Sequence, residues 1–368
     1  MKLTAVVKLH PTPEQAAILR ETRERANAAC TAIAALAWER QTFGQYKLHH
    51  AVYHDLKASA GLTAQVIVRC IAKVADAYKL DKRTKRTFRP TGAIAYDDRI
   101  LRWYPDRVNI WTIGGRQDIP IVCDDRARVL LACRQGESDL FVRDGQWFLA
   151  LTANVEEPPA DVPNDFLGVD LGIVNLAVTS EGETFAGGEL NGLRVRHERL
   201  RKRLQAKGSH GARRRLRKRS RKQRRFQRQT NHRIAKRIVA IAQGTDRGIA
   251  LEDLTGIRER ATVHRRERSR HGNWGFALLR HCLAYKAKLA GVPVILVDPR
   301  YTSQTCPVCG LIDKANRVSQ SQFSCQACGH SALADLVAAE NIRRAAVNQP
   351  YCPDADLQSG APGQSSLL

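Results

Sequence analysis

The chain has 368 residues, 43% of them hydrophobic, with 60 Lys and Arg against 36 Asp and Glu and a formal net charge of +24. That length supports two or three domains with real cores, and no window approaches the ~20 consecutive apolar residues of a membrane span. A positive surplus this large points to a polyanionic partner, nucleic acid being the usual one and a solvated basic surface the alternative.

Residues 1–9 read as a strand, because Met1-Lys2-Leu3-Thr4-Ala5-Val6-Val7-Lys8 alternates rather than running apolar. That pattern is not a secretory leader, so the expected location is cytoplasmic and nucleoid-associated. Thr12, Pro13 and Gln15 form a capping box with proline in the first turn; an alanine-rich helix is expected from there to about Glu39, and a second helical stretch from about Thr63 to Leu80. Residues 81–155 change character. Ala93–Tyr96, Val108–Trp111 and Asp139–Val142, the last turning through Asp144-Gly145 into Gln146–Ala150, read as short strands. The expectation is a small β-barrel whose first strand is separated from the rest by a helical insert. The proline-rich stretch 156–163 is the best domain boundary.

Beyond it, Phe166–Asp170 and Leu176–Thr179, with a turn at Ser180-Glu181-Gly182, read as a hairpin opening a second domain. Residues 191–243 look helical. Between Arg194 and Arg237 there are 21 Lys and Arg against a single acid, Glu198, a local charge of +20. Leu200, Leu204, Leu216, Phe226, Ile234 and Ile238 punctuate that run. An antiparallel helical hairpin turning at Gly208–Gly211, with one packed face, accounts for them; a disordered basic segment is the alternative. Gly248–Glu252 reads as a strand, followed by a helix with Trp274 near its start and a strand over 292–297. The Pro/Gly/Ser-rich tail from Asn348 is expected to be disordered.

Four of the ten cysteines fall in two pairs, Cys306-Pro307-Val308-Cys309 and Cys325-Gln326-Ala327-Cys328. Each CxxC turn sets two thiolates on one side of a tight knuckle, and two knuckles make a closed tetrahedral shell suited to a structural Zn2+. A disulfide pair or a redox CxxC is the competing reading. Cys30, Cys70, Cys123, Cys133, Cys282 and Cys352 are scattered, the first five mostly among apolar neighbours, and are expected to be buried free thiols.

Three acids have settings suited to holding divalent cations. Asp170 ends an apolar strand, Glu252 ends another, and Asp335 opens a helix just past the cysteines. A nuclease that uses two cations needs carboxylates converging from separate elements. Each acid also has a plain reading, as the start of a loop or as a helix-start residue favoured by the dipole. Asp253 should face away from Glu252 by strand alternation, and Asp298 is a rival fourth acid.

Taken together, Gly168-Val169-Asp170-Leu171-Gly172, Leu251-Glu252-Asp253-Leu254, Thr302-Ser303-Gln304-Thr305-Cys306 and Ala334-Asp335 resemble the TnpB family, the OrfB-type proteins of insertion sequences. The resemblance extends from Lys8-Leu9-His10-Pro11-Thr12-Pro13-Glu14-Gln15 to the ribbon. It implies an RNA-guided DNA endonuclease that takes a guide RNA from the transposon end, recognises a short motif beside the target DNA, and cuts with two Mg2+ or Mn2+ ions at Asp170, Glu252 and Asp335. Cys306, Cys309, Cys325 and Cys328 fall on the family's zinc ligands. The implied fold is α/β plus β-barrel. A wedge-type barrel (1–10 and 81–155) carries a helical recognition insert (11–80). A RuvC-like, RNase H-type domain follows (164–302 and 330–347), containing the basic hairpin 191–243 and the zinc ribbon 303–329; the tail is 348–368. Arg213, Arg214, Arg215, Arg217, Lys218, Arg219, Arg221, Lys222, Arg224 and Arg225 are the expected nucleic-acid contacts. The family usually has Asn two residues after the last acid, where this chain has Val337. A nuclease-inactive RNA-guided repressor and a strand-transferring transposase are the other readings, and retention of all three acids argues against the first.

Overall fold

In the computed structural model, which describes residues 1–159, 162–254 and 276–349, the chain divides into two units, Met1–Glu156 and Glu157–Leu368. The expected helix start at Trp274 and the tail from 350 onward lie outside the described residues.

In the first unit, strand β1 (Lys2–Leu9) is followed by helices α1 (Pro13–Glu39), α2 (Gln45–Ser59) and α3 (Ala64–Leu80). Strands β2 (Ile94–Tyr96), β3 (Leu101–Trp103), β4 (Arg107–Thr112) and β5 (Gly115–Val122) come next, then α4 (Asp125–Ala132), β6 (Arg134–Arg143) and β7 (Gln146–Asn154). The seven strands form one nearly closed barrel sheet in the order β2-β6-β7-β1-β5-β4-β3. β1 pairs antiparallel with β7 along its length, from Lys2 opposite Asn154 to Lys8 opposite Phe148.

The capping box is formed: Thr12 Oγ1 accepts from Gln15 N and Gln15 Oε1 accepts from Thr12 N. Small residues Ala26, Ala29, Cys30, Ala34 and Ala37 make the buried face of α1. Two helices escaped the sequence reading. In α2 only Leu48 and Val52 are buried, so the apolar period is too sparse to register, and its N-cap, Gly44, offers no side chain. α4 has eight residues, capped by Asp124. The thiol expectation needs correcting: Cys30, Cys70 and Cys282 are buried, but Cys123 is half-buried and Cys133, which ends α4, is exposed.

The second unit is built on a five-stranded sheet, order β10-β9-β8-β11-β12. Its strands are β8 (Phe166–Asp170), β9 (Asn175–Thr179), β10 (Thr184–Ala186), β11 (Gly248–Glu252) and β12 (Val294–Val297). β8, β11 and β12 are parallel; β9 and β10 run antiparallel. The basic run forms α5 (Gly188–Lys207) and α6 (His210–Gly244), turning at Gly208 in left-handed conformation. His197 Nδ1 lies 3.0 Å from Gln223 Oε1 across that turn, so the two helices run antiparallel. The unit also holds α7 (Phe276–Leu289), a two-stranded ribbon of β13 (Gln322–Ser324) and β14 (Ser331–Leu333), and α8 (Ala334–Val347).

Strand alternation sorts the sheet's two faces. Leu167, Val169, Ile249 and Leu251 pack with α6 and α7 through Ile234, Ile238, Leu279 and Leu283. Phe166, Ala250, Ile295 and Val297 face the other way, onto Ile342 and Ala346 of α8. Asp170 and Glu252 share the parity of that second set. Among the described residues no helix is long and apolar enough to cross a membrane.

Candidate active site and metal centre

Register brings the first two acids together. β8 and β11 pair in parallel, Gly168 opposite Ala250 and Val169 opposite Leu251. The next step in that register sets Asp170 beside Glu252, at the carboxyl ends of adjacent strands, ~4.8 Å apart along the hydrogen-bonding direction.

The third acid arrives through Gly168. A Cβ there would lie 2.0 Å from the Ala339 carbonyl oxygen and 2.7 Å from Arg343 N. Only a glycine lets α8 lie this close to β8. From that contact, Asp170 is two residues further along the strand, ~6.7 Å, and Asp335 is four residues back along the helix, ~6 Å. The helix runs antiparallel to the strand, so both steps lead the same way. Arg343, which donates to both oxygens of Asp165 at 3.0 and 2.9 Å, fixes the other end of this packing. α8 therefore presents Asp335, in its first turn, to the strand ends bearing Asp170 and Glu252.

The electrostatics record the convergence. Burial, with the charges of Glu252 and Asp335, pushes Asp170 up to about 7; the Arg317 guanidinium opposes this. Burial also raises Glu252, against donation from Thr302 and the charge of Arg317. A carboxyl raised this far, as Asp170 is, keeps its proton near neutrality unless a cation replaces it. Oxygen donors of this kind suit hard divalent cations.

Several residues that support these acids are not named as such by the sequence patterns. Asn175 Nδ2 donates to Asp335 Oδ2 at 2.8 Å. Thr302 Oγ1 donates to Glu252 Oε1 at 2.5 Å, and Asn341 Nδ2 holds the Thr302 and Thr305 carbonyls at 2.8 and 2.7 Å. Val337 instead packs on Cys306, Phe323 and Cys325 in the ribbon core. Side-chain amide support thus reaches Asp335 from β9.

The rivals sit elsewhere. Asp253 pairs with Arg280 of α7 at 3.2 Å. Asp298 is exposed, accepts from Arg300 N at 2.9 Å, and enters neither charge balance above.

The four cysteines form a second cluster, their Sγ atoms all within 4.8 Å of one another. Cys306 and Cys328 are 3.6 Å apart and Cys309 and Cys325 3.5 Å. Metal–sulfur bonds of 2.3 Å in a tetrahedron give an S···S separation of about 3.8 Å, so the set is sized for one ion. The two knuckles match: Gly310 N donates to Cys306 O and Gly329 N to Cys325 O, both glycines at positive φ. Buried Asn316 ties them, donating to Gln304 O and Leu311 O and accepting from Gln326 N. Backbone N–H groups of Cys328 and Ala327 help hold Cys325 down to about 6. Cys328, although the His330 backbone favours its thiolate, is pushed up to about 12 by desolvation and the surrounding thiols. A cation removes that conflict. This is a four-cysteine cluster able to hold a structural metal.

The basic hairpin exposes all ten side chains expected to contact nucleic acid, from Arg213 to Arg225.

Comparison with known proteins bears out the OrfB-type resemblance. Residues 150–255 match the family described as "Probable transposase" (OrfB_IS605), and residues 276–342 match the "Cas12f1-like, TNB domain". The chain is 35% identical over 219 residues to a CRISPR-associated endodeoxyribonuclease Cas12f1 of Sulfoacidibacillus thermotolerans, covering 54% of this chain and 50% of that protein. It is 31% identical over 238 residues to the putative RNA-guided DNA endonuclease InsQ of Escherichia coli, covering 59% and 58%. The chain thus spans about half the length of these relatives. Among solved structures, CasPhi-2 (Cas12j) bound to crRNA shares the fold, with a TM-score of 0.59 at 12% identity over 94% of this chain and 98% of that one.

Proposed function

We propose that the chain is an RNA-guided DNA endonuclease of insertion-sequence type, cleaving target DNA beside a short adjacent motif. The observation that carries this reading is the meeting of Asp170, Glu252 and Asp335, from β8, β11 and α8, at one end of one sheet face. In this reading the second unit is a RuvC-like nuclease domain (164–302 and 330–347) with a zinc ribbon (303–329) inserted. The first unit is a wedge-type barrel (1–10 and 81–155) with a helical recognition insert (11–80).

Asp170, Glu252 and Asp335 would hold two Mg2+ or Mn2+ ions, whose charge activates water and steadies the departing oxygen. The chain's own residues prepare that site. Thr302 and Asn175 aim one carboxylate each, Asn341 holds the Thr302 loop, and Arg317 supplies fixed positive charge beside the acids. The ribbon cysteines would hold one Zn2+; with sulfur in all four positions its role is structural. The hairpin α5–α6 would track phosphates of the guide RNA or its duplex with DNA, and its contribution should fall steeply with salt. The relatives' names agree: an endodeoxyribonuclease and an RNA-guided DNA endonuclease. A nuclease-inactive repressor is not favoured, since the sequence keeps all three acids.

The test is to sequence the RNA that copurifies with the protein and use it to program cleavage of a plasmid bearing a matched target with Mg2+. The expected products carry free 5′-phosphate and 3′-hydroxyl ends. Joined DNA would identify strand transfer, and tight guided binding without cleavage would identify a repressor.

A further inference from the structure

We infer that the first unit carries a binding site for a single unstacked nucleotide, in the cavity between the β3–β4 hairpin and α4. The site goes beyond the nuclease reading and uses none of its residues. The site is an open cleft of about 530 Å3, a volume within the range that takes a small ligand. Its walls include Trp103, Tyr104 and Pro105 on one side and Arg128, Leu131 and Arg134 on the other.

The lining has the chemistry of a base and a phosphate together. Tyr104 is 36% exposed, and Arg107 covers its ring with the guanidinium carbon 4.6 Å from the ring centre. An exposed ring backed by a cation is a stacking platform that accepts any base. Trp103 supplies a second ring. Arg134 is already positioned, paired with Asp98 at 2.6 Å and donating to Gly136 O at 3.0 Å. Arg128 is exposed and has no anionic partner among the described residues, so its guanidinium is available to a phosphate. An uncharged apolar ligand would leave that cation without use, and a bare phosphate would leave both rings without use. A nucleotide uses both. It comes either free, as a mononucleotide, or as an unpaired nucleotide of a bound RNA.

The experiment titrates the full chain, stripped of nucleic acid, with AMP, adenosine and ribose 5-phosphate, followed by calorimetry and saturation-transfer NMR. AMP should saturate and bind tightest, and ribose 5-phosphate weakest. Tyr104→Ala should weaken AMP by about 10-fold, the loss expected for one base–ring stack. Arg128→Ala should weaken AMP while sparing adenosine. Both side chains are exposed, so an unchanged Tm checks that each variant folds. If Tyr104→Ala also lowers retention of the copurifying RNA, the occupant is a nucleotide of that RNA. If RNA retention is unchanged while AMP binding falls, the occupant is a free mononucleotide. The proposal is overturned if AMP does not saturate at millimolar concentration, if ribose 5-phosphate binds as well as AMP, or if neither variant changes AMP binding. Guided cleavage, measured alongside, separates failure of this site from failure of the nuclease reading.

Discussion

The second unit gathers ionisable ligands at two points, the cysteines and the carboxylates, by opposite routes. The cysteines lie within residues 306–328, and two short knuckles with the same hydrogen-bond pattern bring them together. The carboxylates stand at 170, 252 and 335, and meet only because a parallel register aligns two strand ends and a glycine admits a helix against one of them. The first cluster is closed, with four sulfurs for one tetrahedral ion and no position left for substrate. The second is half-buried, and burial together with the charges of Glu252 and Asp335 keeps Asp170 from ionising readily. One cluster therefore holds its ribbon together, and the other depends on the fold around it.

The largest effect should come from the carboxylates. Asp170→Ala, Glu252→Ala and Asp335→Ala should each lower guided cleavage by ~10²-fold or more, and pairs should add little, because the acids act as a unit. Target binding should survive in all three if, as proposed, guide pairing and basic contacts supply affinity separately from chemistry. Additive losses in a double variant would show that the acids work independently.

Gly168→Ala probes the packing that assembles them. The new methyl meets the Ala339 carbonyl, so α8 must shift, with a stability loss of about 1–3 kcal/mol and a fall in cleavage that exceeds what the Tm change explains. Unchanged cleavage would mean that Asp335 need not be placed by this contact.

Cys306→Ser should act first on the cysteine cluster: zinc content by elemental analysis should drop well below one per chain, and the melting transition should fall with it. A fully stable variant without zinc would break the contrast.

Acidity offers a finer test. Asp170 ionises at about 7 in the folded, metal-free state, against about 4 when unfolded. The folded state therefore binds more protons between those values, and stability falls as pH rises across that window. Asp170→Asn lacks that slope, so in chelator its stability relative to wild type should improve by up to about 4 kcal/mol between about pH 4 and pH 8. Denaturant titrations at both ends check the sign. Parallel curves would mean that Asp170 is not held protonated by its neighbours.

Smallest should be Thr302→Val, which removes the hydroxyl that donates to Glu252 but keeps the shape. A several-fold loss of cleavage with zinc content unchanged is expected.

What could be read from the chain follows from the same contrast. Cys306, Cys309, Cys325 and Cys328 announce themselves by spacing, because their geometry is local. Asp170 and Glu252 were legible as strand ends, since an apolar run stopping at an acid needs no partner to be seen. Asn175 and Asn341 were not legible as supports, and Thr302, although inside a recognised motif, was not legible as one either, because each acts on a residue far along the chain. Gly168 stood inside a recognised motif, but its purpose appears only when α8 lies against it. Likewise α2 shows too few apolar positions to be read as a helix, although Leu48 and Val52 suffice to anchor it on its neighbours.

The central claim is that Asp170, Glu252 and Asp335 form one cation-holding cluster, distinct from the cysteines. The most direct measurement is Mn2+ binding to the zinc-loaded protein, followed by electron paramagnetic resonance, for wild type, Asp335→Ala and Asp298→Ala. The account predicts two bound Mn2+ per wild-type chain, loss of tight binding in Asp335→Ala and wild-type behaviour in Asp298→Ala. Retained binding in Asp335→Ala together with its loss in Asp298→Ala would contradict it.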